Sequence, residues 1–291
     1  MQKITPHLWF DTQAVEAAKF YTSLFDHSRI KNVTTLHDTP SGSVDMVSFE
    51  IAGQGFEAIS AGPLFKFNPS ISFLVSCPTK EEVDKLWGAL SAGGTTLMEL
   101  GEYPFSDRYG WAQDRYGVPW QVVRHDGPQT ITTVLMFTGK VSGKAEEAIR
   151  FYTSLFHGGS AGDVVRYGKG EEPDQEGSIR YARFALEGQP FAAMDSARAH
   201  GFAFNEAISL LVHCETQQEI DYYWERLSAD PKAEQCGWLK DKYGLSWQVA
   251  PTAMEEMLAS GDPKKIARVT AAFLKMKKFD LAKLREAYDA D

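Results

Sequence analysis

Gly110-Trp-Ala-Gln-Asp-Arg-Tyr-Gly-Val-Pro-Trp-Gln-Val122 is answered downstream by Gly237-Trp-Leu-Lys-Asp-Lys-Tyr-Gly-Leu-Ser-Trp-Gln-Val249, the same frame at the same spacing. Working outward, Phe20-Tyr-Thr-Ser-Leu-Phe25 recurs letter for letter as Phe151 to Phe156. Ile71-Ser-x-Leu-Val-x-Cys77 recurs as Ile208 to Cys214. A repeat this long denotes two copies of one folded unit, not a stack of short motifs. The copies run from about residue 4 to 123 and from 131 to 250, so we expect domains at 1–125 and 130–250 and a tail at 252–291.

Bulk properties agree with two cores. A chain of 291 residues that is 43% hydrophobic has room for two ordinary globular domains. The net charge of −9 argues against nucleic acid or an anionic membrane as partner. No apolar run approaches the roughly 20 residues that span a bilayer, and the first residues enter a strand pattern without a signal-peptide core. Three cysteines cannot all pair. Cys77 and Cys214 are twins and read as reduced core thiols, which suits a cytoplasmic location.

Each copy reads as β-α-β-β-β followed by β-α-β-β-β. In the first copy Ile4 to Phe10 is a strand, and Gln13–Phe25 is an amphipathic helix with Val15, Ala18 and Leu24 near helical spacing. Gly53-Gln-Gly55 marks a hairpin turn. Thr79 opens a second helix as N-cap, with Glu82 completing a capping box, and Gly93-Gly94 closes it. The first copy carries about ten extra residues, Leu97 to Arg108, before its penultimate strand. His125 to Gln129 is a turn-rich linker. The tail reads as helices: Thr252 with Glu255 forms a capping box, Asp262-Pro263 begins a second helix and Asp280 a third. Its apolar stripe of Ile266, Val269, Ala272, Phe273 and Met276 would pack on this chain or on a sister subunit.

A paired βαβββ module ending in Asp-x-x-Gly-x-x-Trp-Gln-Val resembles the vicinal-oxygen-chelate superfamily of glyoxalase I, bleomycin-resistance proteins and extradiol dioxygenases. Within it, Ile4-Thr-Pro-His-Leu-Trp-Phe-Asp11, Phe20 to Phe25, Phe67-Asn68 with Phe204-Asn205, and the two Gly-Trp…Trp-Gln-Val stretches resemble the PhnB-like branch, often labelled demethylubiquinone methyltransferase-like. The resemblance implies an α+β chain of tandem glyoxalase-like domains. Each would have two βαβββ modules in a curled eight-stranded sheet, followed by the helical tail. It also implies that two fused copies make within one chain, as a pseudo-dimer, the pairing that single-copy relatives make between chains. A further homodimer stays open.

Superfamily metal ligands come from inward positions on the first and last strands of each module. Placed by pattern, these fall on Ile4, Glu57, Ser70 and Gln121 in the first copy, and on Ile131, Ala192, Ala207 and Gln248 in the second. Ile and Ala have no donor atoms, and a tight site needs three or four good ligands. No metal or other cofactor is therefore expected. His7, three residues past Ile4 and twinned with Val134, is expected to face the helix. His37 and His213 are solitary histidines.

Other chemistries lack their motifs. The glycine pairs Gly93-Gly94 and Gly158-Gly159 follow helices, so no glycine-rich strand-to-helix turn serves a methyl donor, and the methyltransferase label has no visible mechanism. Neither phosphate-loop nor dinucleotide fingerprints occur. Cys236 sits before Gly237 as a candidate reactive thiol, with incidental placement the plainer alternative.

What remains is a cup with aromatic walls. We expect it to bind an unidentified small molecule without metal through Gln121, Trp111, Arg108 and Tyr103 in the first copy and Gln248, Trp238 and Asp195 in the second. Glu57 would be a further contact. The segment Glu102 to Arg108 is expected either to act as a lid or to pack against the other copy. The alternative is a lyase or isomerase with Glu57 as general base, since a buried carboxyl has the raised pKa that proton abstraction needs, or a divergent metalloenzyme.

Overall fold

The structure, a computed structural model, describes residues 2–290. Its first module comprises strand β1 (Ile4–Phe10), helix α1 (Ala14–Leu24) and strands β2 (Arg29–Thr39), β3 (Gly42–Ile51) and β4 (Gln54–Ser60). The second comprises β5 (Ile71–Cys77), α2 (Lys80–Ser91), β6 (Thr95–Tyr103), β7 (Ser106–Gln113) and β8 (Pro119–Arg124). The third comprises β9 (Thr130–Thr138), α3 (Ala145–Leu155), β10 (Ser160–Arg166), β11 (Ile179–Leu186) and β12 (Gln189–Ser196). The fourth is one strand short: β13 (Ile208–Cys214), α4 (Gln217–Leu227), β14 (Trp238–Lys240) and β15 (Ser246–Pro251). The tail forms α5 (Thr252–Leu258), α6 (Pro263–Phe273) and α7 (Leu281–Asp289).

The α+β class and the βαβββ modules are those expected, but each sheet draws its two modules from different copies. One sheet has seven strands in the order β14-β15-β13-β1-β4-β3-β2, and the other has eight, β10-β11-β12-β9-β5-β8-β7-β6. Modules one and four share a compact unit with the tail (1–66 with 205–291), and modules two and three form the other (67–204). Link length explains the choice. The links inside each copy, 61–70 and 197–207, are about twice as long as the link 125–129 between copies. Chain neighbours joined by the shortest link pair most readily. The first strands make the joins, β5 running antiparallel to β9 and β1 to β13.

The repeated Asp-x-Tyr-Gly-x-x-Trp frame is a turn lock. Asp241 Oδ1 accepts hydrogen bonds from the backbone N–H of Tyr243 (2.8 Å) and Leu245 (3.1 Å), and Oδ2 accepts from the Trp247 indole (2.9 Å). Asp114 does the same for Tyr116 (2.8 Å), Val118 (3.0 Å) and Trp120 (3.0 Å). One carboxylate thus satisfies three donors and pins a large buried ring to the core side of its sheet.

Helix starts are satisfied as the capping residues suggest. Thr79 accepts from the Glu82 N–H (3.2 Å), Thr216 from Glu219 (3.2 Å), Asp262 from Lys264 (2.9 Å) and Asp280 from Lys283 (3.1 Å). The Thr252 capping box does not form. Pro251 occupies the N-cap with no side-chain cap, and Glu255 turns elsewhere. The starts of α1 and α3 are held from a neighbouring strand: Ser60 Oγ accepts from Ala14 N–H (3.1 Å), and its twin Asp195 accepts from Ala145 N–H (3.0 Å).

The tail packs on its own chain. Met257, Leu258, Val269, Phe279 and Leu284 gather with Leu36, Val44, Ala61, Leu211 and Ala250, with Trp9, Met46 and Ile59 alongside. The tail also replaces the strand that module four lacks. Cys236 N–H donates to Met276 C=O (2.9 Å) and Gly237 N–H to Lys277 C=O (2.8 Å). Their twins Tyr109 and Gly110 lie on β7, whose neighbour is β6.

Gly237 has φ of +81°, and a Cβ there would lie 2.5 Å from Phe279 Cε2 and 3.0 Å from Val249 O. Gly237→Ala is therefore expected to destabilise the protein by about 2–4 kcal/mol and to free the tail, read as faster limited proteolysis between 252 and 290. Unchanged cleavage would show that the tail is not anchored at this crossing.

Cys77 and Cys214 are buried, and burial pushes their thiols up to about 11 and about 12. Cys236 is half-buried and also raised by burial, so it lacks the thiolate character of a reactive cysteine. Among the described residues no helix is long and apolar enough to cross a membrane.

Candidate functional site

In the first unit α1 packs on β3 and β4 and α4 on β15. Ile4, Leu8 and Phe10 are fully buried on that side, with Phe49 and Phe56. The intervening residues Thr5, His7 and Trp9 point to the opposite face, because strand side chains alternate. There His7 stands beside Glu57 in the parallel β1–β4 register and opposite Ser209 on β13. Glu57 faces Ser48 across β3, and Gln248 lies between Leu211 and Trp238. Gln248 Nε2 donates to Ser209 Oγ (2.9 Å). The His7 ring meets Trp238 edge-on at 5.4 Å, and Trp238 meets Trp9 at 6.0 Å.

His7 was expected on the helix side and lies instead on the face that bears Glu57. The pattern placement started from Ile4, one position out of phase with the inward set. Ile131 slips in the same way, its inner place being taken by Val134, whereas Ser70 and Ala207 fall two residues short of the inner positions Ser72 and Ser209. Aligned by twin, the inner positions read His7, Glu57, Ser209 and Gln248 in the first unit. In the second they read Val134, Ala192, Ser72 and Gln121.

Burial sets the protonation of the pair. Loss of water pushes the imidazole of His7 down to about 3, and its Nδ1 is buried with no hydrogen-bond partner. Desolvation holds the Glu57 carboxyl well above the usual carboxylate range, Glu255 adds to the rise, and Lys31 opposes it. Burial therefore favours the uncharged form of both groups, the free imidazole of His7 and the protonated carboxyl of Glu57.

In the second unit Gln121 Nε2 donates to Ser72 Oγ (2.7 Å) and Gln121 Oε1 accepts from Tyr109 Oη (2.8 Å). Leu74, Val134 and Ala192 surround this network, with Met98, Tyr103, Trp111, Val123 and Tyr181 packed alongside. Burial raises the Tyr109 phenol, which stays protonated. The Trp111 indole N–H is buried without a partner. Tyr103 and Phe105, at the tip of the β6–β7 hairpin, pack edge-on against Tyr109 at 5.4 and 5.0 Å. The extra residues of copy one thus extend a hairpin, and Tyr103 packs against a cluster to which copy one gives Leu74 and Tyr109 and copy two gives Val134 and Ala192.

Two residues expected at a binding face are engaged elsewhere. Arg108 Nε pairs with Asp84 of α2 at 2.6 Å. Asp195 Oδ1 accepts from Gly143 (2.7 Å) and Ala145 (3.0 Å), and Oδ2 accepts from Ile179 (3.0 Å). Glu57, expected to act with Gln121, is grouped by strand pairing with Gln248 and Trp238. Sequence reasoning missed His7, Ser72, Ser209 and Tyr109 as members of these faces. The alternation of Ile4, Leu8 and Phe10 against Thr5, His7 and Trp9 was the available signal.

A metal is poorly served. His7 and Glu57 supply one imidazole and one carboxyl, and Gln248, whose Nε2 donates to Ser209, adds only a neutral amide oxygen, a weak donor. Two strong donors fall short of the three or four a tight divalent site uses. Among the described residues no three His, Cys, Asp or Glu side chains converge.

Glyoxalase I from Zea mays shares this fold, with a TM-score of 0.54 at 12% identity over 89% of this chain and 98% of that one. A dioxygenase-like structure from Bacillus subtilis gives 0.50 at 11% identity over 84% and 83%. The PhnB protein from Bacillus cereus is 40% identical over 43% of this chain and all of its own, with a TM-score of 0.40. A comparison with curated proteins finds no match. The model of the 3-demethylubiquinone-9 3-methyltransferase family matches twice, over residues 2–123 and 129–250, and the chain belongs to that family in two tandem copies.

Proposed function

We propose that the second unit binds a small, uncharged, partly aromatic molecule on the Gln121 face and that no metal takes part. The observation that supports this is the Ser72–Gln121–Tyr109 network set among apolar walls. A primary amide has two N–H donors and two acceptor lone pairs. Ser72 and Tyr109 use one of each and fix the amide plane. The remaining donor and acceptor suit a neutral polar group, and Leu74, Val134 and Trp111 suit an apolar body. No glycine-rich turn is present to hold a methyl donor, so the family's descriptive name does not supply the mechanism.

Titrating the protein with a panel of neutral aromatic amides and lactams, with chelator present, tests the reading through tryptophan fluorescence. Binding is expected in chelator, and Gln121→Leu should weaken it by about tenfold, the equivalent of roughly one hydrogen bond. Binding that vanishes with chelator and returns with a divalent ion would sink the proposal.

One observation favours a second reading for the first unit. Glu57 stands beside His7 in the sheet register, and burial favours the protonated carboxyl of the one and the free imidazole of the other, the pairing a proton-transferring lyase or isomerase uses. Glu57→Gln should then abolish turnover of any substrate found while leaving binding at Gln121 intact.

A further inference from the structure

We infer that His213 and Thr5 form a carboxylate-binding site in the first unit, and that Glu255 of the C-terminal segment occupies it as an intramolecular ligand. His213 is an addition in copy two, since its twin is Ser76. It is 6% exposed, on the same face as His7 and Glu57. Its Nε2 shares a hydrogen bond with Thr5 Oγ1 at 2.9 Å, which fixes the ring and leaves Nδ1 for a second partner. Nδ1 meets the Glu255 carboxylate in direct contact, set off the line of a hydrogen bond, and neither atom has another partner. A buried imidazole nitrogen held in place by a hydroxyl, facing an anion, is the constellation that receives a carboxylate from outside.

Two further observations mark Glu255 as a ligand and not as part of the sheet's own framework. It lies on α5, beyond the family-matched residues 129–250. It also forgoes its local role. Thr252 and Glu255 have capping-box spacing, yet no side chain caps α5. The carboxylate instead reaches His213, at a point where it also acts on Glu57. Around it Leu211 of the sheet joins Met257 in one apolar cluster, with Trp9, Ile59 and Met254 packed against it. An external ligand would therefore carry a carboxylate on a compact apolar body. An intramolecular carboxylate has an effective concentration in the millimolar range or above. An outside ligand binds only as α5–α7 lift, and loss of Glu255's charge removes its competitor.

Hydrogen–deuterium exchange on the full chain with benzoate, and with benzamide as the neutral control, tests this. In the wild type, benzoate at tens of millimolar should raise exchange in 252–290 and slow it in β1 and β13, and benzamide should do neither. Glu255→Gln should lower the benzoate concentration for half effect at least tenfold, and adding His213→Asn should abolish the response. Equal effects of benzoate and benzamide, no response of the wild-type tail, or a response that survives His213→Asn would each overturn the inference. The wild-type comparison decides the matter if Glu255→Gln fails to fold.

Discussion

Asp241→Ala lowers the unfolding free energy by about 3–6 kcal/mol, because it strands three buried donors that each lose roughly 1–3 kcal/mol when unpaired. The donors are the Tyr243 and Leu245 N–H groups and the Trp247 indole N–H. Water cannot replace the carboxylate, since Asp241 is 4% exposed and Trp247 is fully buried. Asp241→Asn keeps one oxygen and should lose about half as much. Asp114→Ala should match Asp241→Ala, because its three contacts are the same. Urea unfolding followed by circular dichroism and by tryptophan fluorescence measures all three. An Asp241→Ala protein within 1 kcal/mol of wild type would show that the frame does not lock the turn. The most recognisable stretch of the sequence is thus a folding device, which is why a match to it carries fold so firmly and chemistry so weakly.

His7→Gln should remove much of the protein's sensitivity to acid. The folded-state pKa of His7 is about 3, below the ordinary 6.5. Between those values the unfolded chain binds the proton and the folded chain does not. The contribution of His7 to stability is complete above pH 6.5 and falls as pH drops, by up to about 1.4 kcal/mol per unit. From pH 7.5 to 5 the wild type should therefore lose about 2 kcal/mol more than His7→Gln. Glu57 acts in the opposite sense. Its folded pKa is raised above 4.5, so the folded chain holds a proton the unfolded chain releases, and stability is lost as pH rises from there. Glu57→Gln should therefore stabilise the protein at pH 7 to 8, with a gain that shrinks toward pH 4. Denaturant midpoints across pH 4–8 report both. Parallel curves for wild type and His7→Gln would show that the imidazole is not buried neutral against the sheet.

Much of the architecture was legible. The repeats Phe20 to Phe25 and Phe151 to Phe156 marked equivalent helices, and the capping residues Thr79, Asp262 and Asp280 marked helix starts that the structure reproduces. Residue type and twin position single out Glu57, Gln121, Gln248 and Trp238, and the sheet pairing sets Gln248 beside Trp238 while a hydrogen bond sets Gln121 beside Ser72. Arg108 and Asp195 could not be placed from type alone. An arginine near a cup mouth and an arginine paired with Asp84 on the next helix read identically in one dimension. An aspartate that caps α3 from a neighbouring strand has its partner fifty residues away.

The sequence by itself determined the βαβββ modules, their number and the local locks and caps, because those depend on residues within a dozen positions of one another. Tertiary structure decided which modules share a sheet, and with that which side chains stand together: His7 and Glu57 of the first copy with Gln248 of the second, and Gln121 with Val134 and Ala192. It also decided that the tail closes over the first sheet and lays Glu255 on His213. The physical reason is that edge pairing of strands is chosen by link length and exposed backbone, quantities that the side-chain pattern of any single strand does not record.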